Sequence, residues 1–143
     1  MLFLGTFDYA MDERGRIPLP PRYRDAFRDG VVLSQGAPDP CLRVYTRDAF
    51  ALQASSYTAV PDMKRKGRDL RRSLFARSDI VELDKQNRLL IPQHLREYAG
   101  LSGKVLVVGA GESLEIWSPE RWAREMERID AELAETMETA EPR

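Results

Sequence analysis

Two kinds of apolar spacing share this sequence, a period of two that reads as strands and a period near 3.6 that reads as helices. "LFLGTFDYAM" (2–11) mixes aromatic and β-branched residues and runs into the turn "DERG", so it predicts a strand. "RIPLP" (16–20) predicts a second, short strand whose Pro18 belongs on an edge or beside a turn. Pro21 then suits the first turn of a helix "PRYRDAFR". "VVLSQG" and "LRVYT" predict two further strands joined by the turn cluster "APDP", after which Thr46 can cap a helix from Arg47. The same order returns later: Gly100 stands where the helix "QHLREYA" should end, and Ser118–Pro119 opens the last helix. That helix carries Trp122, Met126, Ile129 and Leu133 at spacings of 4, 3 and 4, an apolar stripe that packs on the chain's own core or on another subunit.

The order returns because the sequence does. Asp12, Arg16, Ile17, Leu19, Pro20, Tyr23 and Arg24 precede Asp84, Arg88, Leu89, Ile91, Pro92, Leu95 and Arg96 by 72 positions each. "GVVLSQGA" (30–37) aligns with "GKVLVVGA" (103–110) after one residue of slip, and Leu42, Tyr45 and Phe50 return to the 72 register against Leu114, Trp117 and Trp122. This period is too long for a solenoid and marks a duplicated module, each copy too small to bury its own apolar face. Val32–Leu33 and Val105–Leu106 are therefore expected in one shared core. The modules are expected over 1–56 and 79–122, with a connecting segment at 57–78 and an acidic helix and tail at 123–143.

Within the connecting segment, "DMKRKGRDLRRSLFAR" predicts a helix from Asp62. Met63, Leu70 and Leu74 then fall on one face, and Lys64, Arg65, Arg68, Arg71 and Arg72 on the other. Gly67 interrupts it at a cost of about 1 kcal/mol, so its first turn is expected to fray. Such charge runs are commonly just solvated, yet this one is barely neutralised and makes its cations candidates for phosphate contacts.

Charge sharpens the picture. The formal net charge of the 143 residues is −1, but residues 112–143 hold 10 Asp/Glu against 4 Arg. The remainder is net positive, which predicts a basic working surface with an acidic tail kept away from it. One cysteine, Cys41, allows no internal disulfide, and the Cys/His pairs of a structural zinc site are missing. No stretch reaches the ~18–20 apolar residues of a membrane span, and the first residues lack the basic start of a signal peptide. These features predict a reduced, cytoplasmic protein without metal or cofactor.

The repeated turn carries the chemistry. In "DERGR" (12–16) and "DKQNR" (84–88), Asp precedes Arg by four residues. The Asp side chain can accept backbone N–H groups and close the turn, while Gly15 and Asn87 can take φ > 0. The arginine then either returns to its aspartate, bracing a hairpin, or projects from the rim of the sheet. One such match is common; two in register, each followed by an apolar strand, Pro and Arg, are specific.

"GTFDYAMDERGRIPLPPRYR", "LDKQNRLLIPQHLREYAGL" and "LEIWSPERW" together resemble the MraZ family, from about Leu2 to Trp122. The resemblance implies an α+β fold in which two tandem pseudo-symmetric modules of the AbrB-like type form one swapped-hairpin β-barrel with flanking helices. It implies a ring-shaped homo-oligomer that binds direct repeats in double-stranded DNA upstream of the division and cell-wall gene cluster, as a transcriptional regulator at the nucleoid. The D-x-x-x-R turns would face the DNA, with Asp12, Arg14 and Arg16 in one copy and Asp84, Lys85 and Arg88 in the other. Asn87 departs from the family, where Gly is commoner. The residue chemistry agrees, because arginine makes bidentate contacts to guanine or phosphate and a two-stranded ribbon fits the major groove. Phe50, Trp122 and Met126 are the candidates for the oligomer interface.

Two rival functions are weaker. An enzyme would need a reactive constellation, but the lone His94 has no counterpart in the first module, where Arg22 stands, and no catalytic grouping or small-molecule substrate site is visible. An AbrB-like antitoxin or scaffold acting through protein contacts would usually carry one module and a disordered tail.

Overall fold

The computed structural model describes residues 1–140, so the last three residues of the expected acidic tail lie outside the described residues. Each module contributes two strands around the charged turn and two more after a short helix. The first supplies β1 (Thr6–Ala10), β2 (Arg16–Pro18), a 3-10 helix (Pro21–Phe27), β3 (Val31–Gln35), β4 (Leu42–Tyr45) and α1 (Arg47–Thr58). After α2 (Arg65–Phe75) the second supplies β5 (Ser78–Val81), β6 (Arg88–Leu90), α3 (Gln93–Ala99), β7 (Lys104–Gly109), β8 (Leu114–Trp117) and α4 (Pro119–Ala140).

The modules exchange strands. One antiparallel sheet runs β1-β7-β8-β4-β3-β5, and β2 pairs with β6 in a separate ribbon. β1 of the first module lies on β7 of the second, and β5 of the second lies on β3 of the first. The order is a palindrome under the repeat, with a local two-fold axis between β4 and β8. In the ribbon, Ile17 pairs with Leu89, its own counterpart 72 residues on. Between β4 and β8, Arg43 pairs with Glu115, again its own counterpart.

Two expectations need correction here. The six-stranded sheet does not close into a barrel, because β1 and β5 are its two ends. Each end strand runs into its turn and peels away as β2 or β6, and the ribbon closes the core by packing. Its inward residues Ile17, Leu19, Leu89 and Ile91 join Val31, Leu33, Leu42, Val44, Val105, Val107, Leu114 and Ile116 in a single buried cluster. The one-residue slip is also wrong. Leu33 pairs with Val44 and Asp79, and Val107 pairs with Ile116 and Phe7, so β3 and β7 are offset by 74 residues. A slip of one would have turned every side chain of β7 to the opposite face, whereas a slip of two keeps the faces. Alternation also splits each expected pair. Leu33 and Val105 enter the central core, Val32 is buried on the other face of β3 beside Phe50 and Phe75, and half-buried Leu106 packs near Trp117 and Trp122.

The helices follow their caps. Thr46 Oγ1 accepts the Ala49 N–H at 3.1 Å, and Gly100 closes α3 with φ 64° and ψ 38°. Ser118 Oγ accepts the Arg121 N–H at 3.2 Å to open α4. The basic helix starts later than expected, at Arg65, with Lys64 in an extended conformation, so Met63 is left outside it and 89% exposed. The cause lies in the arginines. Arg71 donates to the carbonyls of Thr58, Val60 and Gly67, and Arg68 to those of Asp62 and Met63, which holds residues 59–64 as a loop. Gly67 does not fray: it is buried, and a Cβ there would overlap the Pro61 carbonyl oxygen. Among the described residues, no helix is long and apolar enough to cross a membrane.

Candidate nucleic-acid interface

The two charged turns are congruent almost bond for bond. In the first, Asp12 Oδ1 accepts the N–H groups of Arg14 and Arg16, both at 2.9 Å, and Oδ2 accepts Arg16 Nε at 2.7 Å. In the second, Asp84 Oδ1 accepts the N–H groups of Gln86 and Arg88 at 2.9 Å, and Oδ2 accepts Arg88 Nε at 2.9 Å. The Gly15 N–H donates to the Asp12 carbonyl at 3.0 Å and the Asn87 N–H to the Asp84 carbonyl at 2.9 Å. Gly15 takes φ 85° and Asn87 φ 59°, the left-handed region that the reversal requires. Asn is the commonest side chain able to adopt it, so the departure from Gly leaves the turn intact.

The turns stand side by side because their outgoing strands pair. Arg88 Nη1 lies 3.7 Å from Asp12 Oδ2, and the Ile91 N–H donates to the Gly15 carbonyl at 2.9 Å. Strand alternation sends Ile17 and Leu89 inward and puts Arg16 and Arg88 on the outer face, where Leu90 is 48% exposed. Arg14 and Lys85 are exposed at the turn tips. Bracing is what both arginines show. Each gives Nε to its aspartate, and among the described residues neither Nη of Arg16 makes a hydrogen bond. The rim is thus a row of cations on two closed turns, with Arg16 and Arg88 half-buried beside their aspartates and Arg14 and Lys85 exposed at the tips.

Other candidates fall elsewhere. Arg68 and Arg71 hold the loop before α2, Arg65 and Arg72 pair with Asp69 at 3.8 and 3.4 Å, and Lys64 is exposed at the helix start. Phe50 packs edge-on against Tyr45 and Phe75, and Trp122 packs on Trp117 with centroids 5.4 Å apart. Met126 and Ile129 are half-buried, while Leu133 is 46% exposed. His94 pairs with Asp79 at 3.2 Å. Cys41 is buried, and burial, reinforced by Glu115, pushes its thiol pKa up, so it stays protonated. Among the described residues no group of three His, Cys, Asp or Glu side chains could hold a metal ion.

Sequence reasoning missed Arg96 as a site residue. Its Nη1 donates to the Arg14 carbonyl at 3.0 Å, from the other module. The signal was present, since Arg24 and Arg96 occupy matching places in the repeat.

Strand exchange about an internal two-fold, with matched Asp–Arg turns on one rim, defines a class: duplicated two-module α+β proteins with a paired cationic rim. The family pattern described as "MraZ protein, putative antitoxin-like" matches twice, at residues 2–73 and 74–143. A "Transcriptional regulator MraZ" of Thermomicrobium roseum is 42% identical over 131 residues, 92% of each chain. One from Nocardioides is 42% identical over 135 residues, 94% of this chain and 93% of the relative. One from Dehalococcoides mccartyi is 37% identical over 140 residues, 98% and 99% of the two chains. The chain belongs to the MraZ family.

Proposed function

We propose that this protein is a transcriptional regulator that binds double-stranded DNA through the rim formed by its two D-x-x-x-R turns. The observation that carries the reading is the pairing of the turns across β2 and β6, with Arg16 and Arg88 on the outer face of one ribbon. Such a ribbon fits the major groove, and arginines held by their own aspartates lose little side-chain freedom on binding. Arg14, Arg16, Lys85 and Arg88 contact base edges and the flanking phosphates, and Asp12, Gly15, Asp84 and Asn87 shape the turns. The cations around α2 add sequence-independent attraction.

The finer architecture belongs to the same reading. Residues 1–56 and 79–122 are two AbrB-like modules whose exchanged hairpins share one core between the open sheet and the β2–β6 ribbon, with 57–78 connecting them and 123–143 as helix and tail. One rim offers few base contacts, so specific binding needs several copies at fixed spacing. A ring of head-to-tail copies on direct repeats, upstream of the division and cell-wall gene cluster, meets that need by avidity. Exposed Leu2, Leu4 and Leu52, with the outer end of the α4 stripe, are apolar surface such contacts could cover. The protein would then work in the cytoplasm, at the nucleoid.

The test is a salt series on a site found by footprinting upstream of the gene and on its scrambled sequence. Arg16→Ala should cut the preference for the site by about 1–3 kcal/mol for each base it no longer reads. Wild-type affinity should fall with a log–log slope of about −0.9 per phosphate neutralised. If Arg16→Ala and Arg88→Ala both keep the wild-type preference, the turns merely brace hairpins. Light scattering at micromolar concentration checks the assembly, which a monomeric mass would exclude.

A further inference from the structure

The two turns match internally but are held differently from outside. Gly15 is buried under the Arg96 guanidinium, and a Cβ at that position would overlap it. Arg96 fixes the Arg14 carbonyl, and Ile91 fixes the Gly15 carbonyl, so the second module grips the tip of the first turn at two successive residues. The two-fold counterpart of this grip is missing among the described residues. Arg24, which corresponds to Arg96, donates instead to the Leu19 carbonyl of its own segment at 3.3 Å. Between Arg24 and the second turn lies an open cavity of about 460 Å³, lined by Asp84 and Asn87 among others. Asn87 is exposed where Gly15 is buried, and a Cβ at the Gly15 position would leave no room for the arginine that covers it. The guanidinium ends differ as well, because Arg88 leans towards Asp12 while Arg16 has one carboxylate partner.

We propose that the turns divide the work: the first, clamped by Arg96, is the sequence-reading turn, and the second is an adaptable, phosphate-gripping turn. Arg96 is then a positioning residue that acts through the backbone of Arg14 and Gly15. The physical reason is preorganisation. A turn fixed before binding loses less conformational entropy and tolerates less misplacement, so a wrong base is rejected more sharply. A looser turn can follow the phosphate backbone whatever the sequence. This inference rests on the reading that the turns contact DNA.

The experiment titrates the full chain with the footprinted site and a scrambled duplex of equal length, for wild type, Arg96→Ala, Arg96→Lys, Gly15→Asn, Arg16→Ala and Arg88→Ala. Gly15→Asn recasts the first turn in the form of the second and expels the Arg96 guanidinium. It therefore tests the clamp with Arg96 still present. Arg96→Ala, Arg96→Lys and Gly15→Asn should each lower the ratio of site to scrambled affinity roughly tenfold, the scale of one base contact. Hydrogen exchange at the Arg14 and Gly15 amides of free protein should quicken in these three variants, with the second turn unchanged. Arg88→Ala should weaken both duplexes together. If Arg96→Ala weakens both duplexes equally and Arg96→Lys restores both, Arg96 is a phosphate contact and the proposal fails. If the Arg96 and Gly15 variants keep the ratio while Arg16→Ala loses it, the division of labour fails but the turns still read DNA. If Arg16→Ala and Arg88→Ala both keep the ratio, the turns do not read DNA and both conclusions fall.

Discussion

Asp12 and Asp84 each close a turn with one carboxylate oxygen and hold an arginine with the other. The backbone N–H of Arg16, above all, keeps the Asp12 carboxyl below the usual carboxylate range against partial desolvation, and the N–H of Arg88 does so for Asp84. Because the folded pKa is the lower one, the unfolded chain binds the proton more readily. The stabilisation is therefore complete above the ordinary aspartate value of about 3.9 and is lost as pH falls through the depressed range below it. Asp12→Asn and Asp84→Asn should thus lower the thermal midpoint at neutral pH. The gap from wild type should narrow as pH drops below about 4. A gap that stays constant across that acid range would show that the carboxylate charge contributes nothing to the turn. The same residues bear on function, since an arginine released from its aspartate would enter binding less ordered.

At the level of elements, β2 and β6 are short and marginal alone, and they persist because each has the other and a buried face. Helix α2 is a different case. Arginines that look like a solvated stripe are partly structural, and Arg71 caps the Thr58 carbonyl at the end of α1 and the Val60 carbonyl in the connection to α2. Gly67 lets that connection approach the helix. Replacing Gly by Ala in an exposed helix normally gains about 1 kcal/mol. Here the added methyl would meet the Pro61 carbonyl, backbone that cannot swing aside, and overpacking of this kind costs about 1–3 kcal/mol. Gly67→Ala should therefore lower stability in urea unfolding; a stabilised variant would show that the connection yields freely.

The whole molecule shows what duplication makes available. In a dimer of identical modules the residue on the two-fold axis faces itself, so a charge there would meet its like. The duplicated chain places Arg43 opposite Glu115, 3.9 Å apart, with side chains 25% and 17% exposed. Opposite charges facing across strands contribute about 0.2–1 kcal/mol, and like charges destabilise. This pair also favours pairing of the first module with the second over pairing of either module with its own kind from another chain. Glu115→Arg should destabilise the fold, and adding Arg43→Glu should recover most of the stability. A double-mutant cycle in urea measures it, and additive effects would show that the axis pair contributes nothing.

Much of this was legible in the residues alone because it is local or periodic. Alternation placed the strands, side-chain chemistry placed the caps of α1, α3 and α4, and Asp-x-x-x-Arg implied turns closed by their own aspartates. The 72-residue repeat implied two modules sharing one core. What remained hidden depends on residues far apart in the chain. The true β3–β7 offset appears only when partner strands set the register, since alignment by similarity cannot tell a slip of one from a slip of two. Leu106 and Val32 follow from that register and from alternation. The open sheet closed by a packed ribbon arises because β2 and β6 satisfy each other's backbone groups, leaving β1 and β5 as ends. The use of Arg71 as a loop cap, the need for Gly at 67, and the grip of Arg96 on Arg14 across 82 positions are all long-range contacts. A repeat makes two turns look equivalent in sequence; packing made them unequal, because one bears a glycine that a distant arginine can cover and the other does not.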